Sequence, residues 1–450
     1  MQTRLIGLIL LLSVVSWQCD KIRDGWPPGK GTNGHTSKYS SRVVSEWIGL
    51  QLEFLKEAPT AQGNPTFSRQ YAYGGITLYE AVVGGMPNFR SLAGQLNELN
   101  NLPKSTGGAS LNWALSANAA LADFTRKFYA HIPDAETRIS QLENSLMQFY
   151  SVGTNNSQQQ RSIEFGKAIA AKIFSWSETD GHKSANDPFT APADKIGPGF
   201  WAAPNPPSIQ SLPYLKNVRR LVAGSGDGAE LPAPPPYSTD PKSPFYKMVK
   251  EVYDASPADG SEEKAMAMYW RDVPGTTTPG HYLSILKQVL EKDNVSLDKA
   301  AISYALAGIM VHDACISTWT TKYKYWLVRP ITYIQTVMGH AHWAPAFGTP
   351  PHPEYPSAHS SLSAANAHAM TLVFGENYKF EDHTFDYLHN PETDPLMFKP
   401  RKYSSFKAIA EEAGISRLYG GIHYRFSIEQ GLKQGWKVAG NIEKRLKLQK

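Results

Sequence analysis

Cysteine is nearly absent from this 450-residue chain, which has only Cys19 and Cys315. That excludes a disulfide framework for the body of the protein, so a packed core must supply its stability. Strong charge of either sign is missing too. The balance is +5, from 45 Lys and Arg against 40 Asp and Glu, with no basic run interleaved with aromatics, which argues against a nucleic-acid partner. Beyond the first twenty residues no apolar run stands out as a membrane span. Convincing β-alternation, internal repeats and any haem motif are also lacking, and the one low-complexity stretch is Pro234-Pro235-Pro236. What is present is an ordinary globular composition, 41% hydrophobic and 19% charged, with enough length for one large domain or two smaller ones. The 35 glycines and 32 prolines imply substantial loop.

The N-terminus reads as an export signal over residues 1–18. Arg4 supplies the positive start and Leu5–Val15 the apolar centre, too short to span a bilayer. Cys19 stands where bacterial lipoproteins are cleaved and lipidated. The alternative is an ordinary secretory signal with an incidental cysteine. The expectation is export to the periplasm or cell envelope, with a lipid anchor at Cys19 as the one membrane attachment. Residues 19–40 read as a polar tether. Cys315 lies in an apolar helical pattern and reads as a buried, inert thiol.

From residue 41 the apolar spacing is helical. Val43, Val44, Trp47, Ile48, Leu52 and Leu55 recur three and four apart. Further helices are expected over 69–83, 111–131, 135–151 and 158–177. Residues 185–243 are proline-rich and aperiodic, an irregular connection of the kind that serves as lid or linker. Helical signals resume at 244–256, 279–292, 297–321, 357–374, 404–418 and 425–446, with Ser296 as a candidate N-cap. The predicted fold class is all-α. Two packed helical bundles, 41–243 and 244–450, are joined by the proline-rich connection, and the chemistry sits in the second.

That chemistry is carried by three short segments. In Lys322–Pro330, KYKYWLVRP, Lys322 and Arg329 are seven apart and would share a face if the helix continued to Pro330. Two cations on one face repel unless an anion lies between them. In Pro356–His359, PSAH, Ser357 and His359 stand at the entrance of a helix, where free N–H groups and the helix dipole favour an anion. Taken alone, Ser357 reads as a simple N-cap. In Ser416–His423, SRLYGGIH, the Gly420-Gly421 pair offers the break that lets Arg417 and His423 turn to the same side.

Lys-x6-Arg-Pro, then Pro-Ser-x-His, then Ser-Arg-x5-His resembles the signature of the vanadium haloperoxidases, shared with type 2 phosphatidic acid phosphatases and bacterial acid phosphatases. The signature covers residues 322–423. Tyr269–Asp272, YWRD, and Pro279–Tyr282, PGHY, resemble segments that precede it in bacterial haloperoxidase-like proteins. The resemblance implies that Lys322, Arg329, Arg417, Ser357 and the N–H of Ala358 hold the oxygens of an oxyanion. His423 would be the axial vanadium ligand, or the nucleophile of a phosphatase. His359 would be the acid–base group, with a pKa suited to neutral pH. Ala358 replaces the family's usual glycine and would resist a positive φ. Trp319 and His352 match positions lining the halide side, and His352 favours bromide or iodide over chloride.

The implied function is a vanadate-dependent haloperoxidase, an oxidoreductase with vanadate as cofactor and hydrogen peroxide and halide as partners. An acid phosphatase working through a phosphohistidine in the same site is the alternative enzyme. A non-catalytic surface lipoprotein that retains the fold is the non-enzyme alternative. The resemblance also favours self-association into a homo-oligomer.

Overall fold

The computed structural model describes residues 35–57, 64–105, 111–202, 211–273, 276 and 278–450. The export signal, Cys19 and most of the tether lie outside them. Helices dominate: α1 (Arg42–Glu57), α2 (Asn64–Val82), α3 (Trp113–Phe128), α4 (Ala135–Ser151), α5 (Asn156–Ser177), α6 (Pro244–Asp254), α7 (Glu262–Tyr269), α8 (Thr278–Lys292), α9 (Leu297–Tyr325), α10 (Pro330–Thr336), α11 (Ala358–Phe374), α12 (Phe406–Tyr419) and α13 (Arg425–Arg445). The all-α reading holds. Helices α7 and α10 were not expected, because each is too short to show a period. An antiparallel pair of three-residue strands, β1 (Phe380–Asp382) and β2 (Arg401–Tyr403), is likewise below what alternation can reveal.

Several helix starts follow from local chemistry. Asn112, Ser243, Ser357 and Ser405 each accept a hydrogen bond from an N–H of the first turn, and Pro244 follows Ser243 where a missing N–H costs nothing. Ser296 does precede α9, but its side chain makes no capping bond.

The 29-residue α9 is the axis of the protein and packs on α2, α11 and α13. It is long and apolar enough to cross a membrane, contrary to the reading of the sequence, yet its most apolar window is wholly buried inside the protein. Its approach to α2 is close: a Cβ at Gly308 would fall 2.6 Å from the Tyr71 carbonyl oxygen. One apolar core runs from Val43 on α1 to Ile442 on α13, and a smaller cluster joins α6 and α10 to Leu327, Val328, Tyr355, Tyr424 and Ile428. Cys315 lies inside the large core, where burial pushes its thiol up to about 12.

The proline-rich connection does more than link. Buried Asp313 on α9 accepts the N–H groups of Leu221 and Val222 at 2.8 and 3.0 Å, tying the connection to the axis. Trp201 N–H donates to the Trp326 carbonyl and Val328 N–H to Gly199. Tyr355 and Tyr333 donate to the carbonyls of Pro232 and Ser238. The connection is thus the outer wall behind the loops that carry Arg329 and Ser357.

Candidate active site

The three signature segments meet at one place, though not by the expected route. Helix α9 ends at Tyr325, because Trp326 turns left-handed (φ 53°) and closes the helix onto the Lys322 carbonyl. Arg329 then has extended backbone (φ −78°, ψ 150°), as a residue before proline prefers, and precedes α10. Lys322 and Arg329 therefore do not share a helical face. Arg329 arrives from a separate loop and aims back.

Lys322 is fully buried. Its ammonium donates to the carbonyls of Pro353, Glu354 and Pro356 at 2.9, 3.0 and 2.7 Å. All three of its N–H groups are thereby engaged, so it staples the loop before α11 as well as supplying charge. Burial and the nearby Arg329 drive its pKa well below the ordinary lysine value. Arg329 donates to the His352 carbonyl, the Ile422 carbonyl and His352 Nδ1, and its NH1 lies 3.3 Å from His423 Nε2. Arg417 projects from the last turn of α12 beneath the Phe347 ring, 4.8 Å from its centroid. Its NH1 is 2.9 Å from His359 Nε2, while its buried Nε has no hydrogen-bond partner among the described residues. Burial lowers both arginines to about 10.

Ser357 caps α11 by accepting from Ser360 N–H, which leaves its own O–H as a donor. Ala358 is the first residue of α11 and has no positive φ, so the strain expected of alanine there does not arise. Gly421 (φ 76°) makes the turn after α12 that brings His423 round beside Arg417.

The histidines are held neutral. His352, His359 and His423 are buried and lie among cations; burial first, then those charges, push all three well below 6.5. For His359 this differs from the neutral-range value expected: burial lowers it first, and Arg417 facing its Nε2 lowers it further. The same nitrogen lies 3.0 Å from the Trp270 carbonyl and 3.5 Å from Asp272 Oδ1. Unprotonated, it accepts from Arg417; protonated, it has a carbonyl and a carboxylate to donate to. Trp319 packs its ring against His352 (5.0 Å between centroids), and its indole N–H is committed to the Ser211 carbonyl. That leaves its N–H with no further hydrogen bond to give.

Reading the sequence missed the acidic side of the site. Glu354, within PHPEYPSAH, is fully buried, and its carboxylate meets His423 Nδ1 at 2.8 Å. Asp272 belongs to YWRD, quoted above without a role. The indole of Trp270 in that segment donates to Glu412 and stacks on His281, which pairs with Asp382 at 2.7 Å. An acidic residue between prolines, three before a candidate N-cap, was the available signal for Glu354. Its partner lies 69 residues away and no local pattern announces it.

Comparison with known proteins agrees with this architecture. Residues 302–449 match the family model described as the VCPO second helical-bundle domain. The structure described as the first bacterial vanadium-dependent iodoperoxidase superposes with a TM-score of 0.79 at 32% identity, covering 91% of this chain and 97% of that one. The chain belongs to the vanadium haloperoxidase family. The apo and holo forms of a bacterial vanadium-dependent chloroperoxidase share the haloperoxidase fold at TM-score 0.63, with 16% and 15% identity. They cover 86% and 87% of this chain, and 96% and 95% of those chains are covered in turn. No curated protein sequence matches. The haloperoxidase is an oxidoreductase, and its signature residues are those of the loops and helix ends just described.

Proposed function

We propose that this haloperoxidase holds vanadate in the pocket between Arg329, Arg417, Ser357 and His423, and oxidises iodide or bromide with hydrogen peroxide. The observation that carries the reading is the buried charge. Lys322, Arg329 and Arg417 are all at most 2% exposed, and Arg417 Nε is left with nothing to donate to among the described residues. Glu354 and Asp272 offset part of this charge, and the remaining excess of buried cation suits a small multiply charged oxyanion. Neutral His423, with Nδ1 facing a carboxylate, has Nε2 to offer as a ligand.

In this reading Arg329 and Arg417 donate to the oxyanion, with the Ser357 hydroxyl and the Ala358 N–H at the start of α11. Lys322 acts through its charge and through the loop it staples. His359 Nε2 takes and returns a proton, with Trp270 and Asp272 as acceptors for its protonated form. Bound vanadate would supply Lewis-acid activation of hydrogen peroxide. Trp319 and His352 form the wall on the halide side, and the relative's name as an iodoperoxidase supports iodide first. Export, with or without a lipid at Cys19, rests on the leader sequence, and self-association on the family resemblance.

The test is a pair of assays on purified protein. Iodide and bromide oxidation by peroxide is measured with and without vanadate, beside hydrolysis of a generic phosphomonoester. Vanadate-dependent halide oxidation with little phosphatase activity is the expected result. Phosphate release without vanadate-dependent halide oxidation would transfer the site to the phosphatase reading.

A further inference from the structure

Glu354 makes contacts that the anion-binding residues do not account for. Its carboxylate receives His423 Nδ1 at 2.8 Å and Tyr424 N–H at 3.0 Å on Oε1, and the Ser427 hydroxyl at 2.6 Å on Oε2. Its carbonyl oxygen receives Lys322 Nζ, and its own N–H donates to the Leu327 carbonyl. One residue thus ties α9, the loop before Arg329, the start of α13 and His423 together. Tyr424 is the residue before α13, so the carboxylate also lies at that helix's N-terminal end, where the dipole favours negative charge.

The consequence is set by the hydrogen-bond inventory. A guanidinium only donates, so His423 Nε2, 3.3 Å from Arg329 NH1, accepts there, and the ring proton lies on Nδ1, 2.8 Å from Glu354 Oε1. Nε2 is then the bare nitrogen, and it is the one 3.3 Å from Arg329 NH1, on the side of the pocket. Reversing the tautomer would set N–H against N–H at Arg329. A carboxylate behind a ligating imidazole also raises its basicity.

We infer that Glu354 is the positioning residue for His423, fixing the tautomer that presents Nε2 to the oxyanion and strengthening it as a ligand. This rests on the reading of His423 as the residue that binds vanadate, and it goes beyond that reading by naming what makes His423 competent.

The experiment uses the full chain with ¹⁵N-labelled histidine and has two readouts. The first is the His423 tautomer by ¹⁵N NMR in the ligand-free protein. The second is the vanadate Kd by calorimetry. In the wild type, Nδ1 is expected to carry the proton. Glu354→Ala is expected to mix the tautomers and raise the vanadate Kd by about 10- to 100-fold, the usual scale for loss of such a partner. Glu354→Gln keeps an oxygen acceptor, so it is expected to keep the tautomer and weaken binding less than Glu354→Ala. A wild-type His423 protonated on Nε2 would overturn the inference, and so would a Glu354→Ala protein with wild-type tautomer and affinity. If Glu354→Ala does not fold, the wild-type tautomer and Glu354→Gln decide. A wild type with no vanadate affinity would instead refute the proposed cofactor, while the tautomer would still decide the role of Glu354.

Discussion

Arg417 and His359 face each other with the guanidinium NH1 2.9 Å from the imidazole Nε2. A permanent cation is pressed against a neutral ring, with 1% and 5% of the two residues exposed. Protonating His359 in that state would set two positive charges in contact. In the proposed reading an oxyanion beside the pair would change the balance, giving Arg417 Nε a partner and offsetting the second charge. The pair would then respond to occupancy of the proposed site.

The first prediction concerns acid stability. His352, His359 and His423 all have folded values well below 6.5. At these three histidines the unfolded chain binds more protons than the native one as pH drops past 6.5, so their contribution is full above that pH and falls below it, while Glu80 and Glu354, pushed up to about 7 by burial, oppose part of that fall. The melting temperature of ligand-free protein should drop steeply below about pH 6.5, and saturating phosphate should flatten the curve. A ligand-free curve as flat as the phosphate-bound one would show that the histidines do not face this excess of buried positive charge.

Arg417→Met separates binding from stability. The substitution keeps most of the side-chain volume and removes a buried charge whose Nε has no hydrogen-bond partner among the described residues, at the cost of its contacts with His359 Nε2 and the Ala267 carbonyl. Ligand-free stability should stay within about 1 kcal/mol of wild type or rise, since replacing poorly satisfied buried charge by apolar volume is often neutral or favourable. Vanadate affinity should fall at least about tenfold, the scale of one charge-assisted hydrogen bond. Thermal melts and calorimetry on the same preparation measure both. A large loss of stability with intact binding would contradict the assignment.

Gly421→Ala tests the turn that delivers His423. The backbone there is left-handed, and a Cβ would sit 3.1 Å from Pro345 and Trp343. The left-handed conformation alone costs alanine ~1–2 kcal/mol, and relief of the clash would shift His423 away from Arg329. Both a lower melting temperature and a weaker vanadate Kd are expected. Loss of stability with unchanged affinity would mean that the turn does not set the ligand position.

The parts legible in the sequence were those written in local chemistry. Ser357 at a helix entrance, Gly420-Gly421 as a break and the apolar spacing of α1 all concern neighbours within a few residues. Lys322 and Arg329 were rightly paired for a wrong reason, since the left-handed Trp326 ends α9 and tertiary packing, not helical phase, joins them. Glu354 with His423, Asp272 with His359 and Asp313 with the proline-rich connection were not legible, because each partner is tens of residues away. The β1–β2 pair and the short helices α7 and α10 hold no period long enough to read. Family resemblance supplied the roles of the signature residues, while the carboxylate behind His423 came from the geometry alone.

Titration calorimetry of vanadate into wild-type and His423→Ala protein tests directly whether His423 is the residue through which vanadate is held. Saturable, stoichiometric binding by the wild type is expected, with its loss in His423→Ala while circular dichroism shows the fold retained. Equally tight binding of vanadate by both proteins would contradict it.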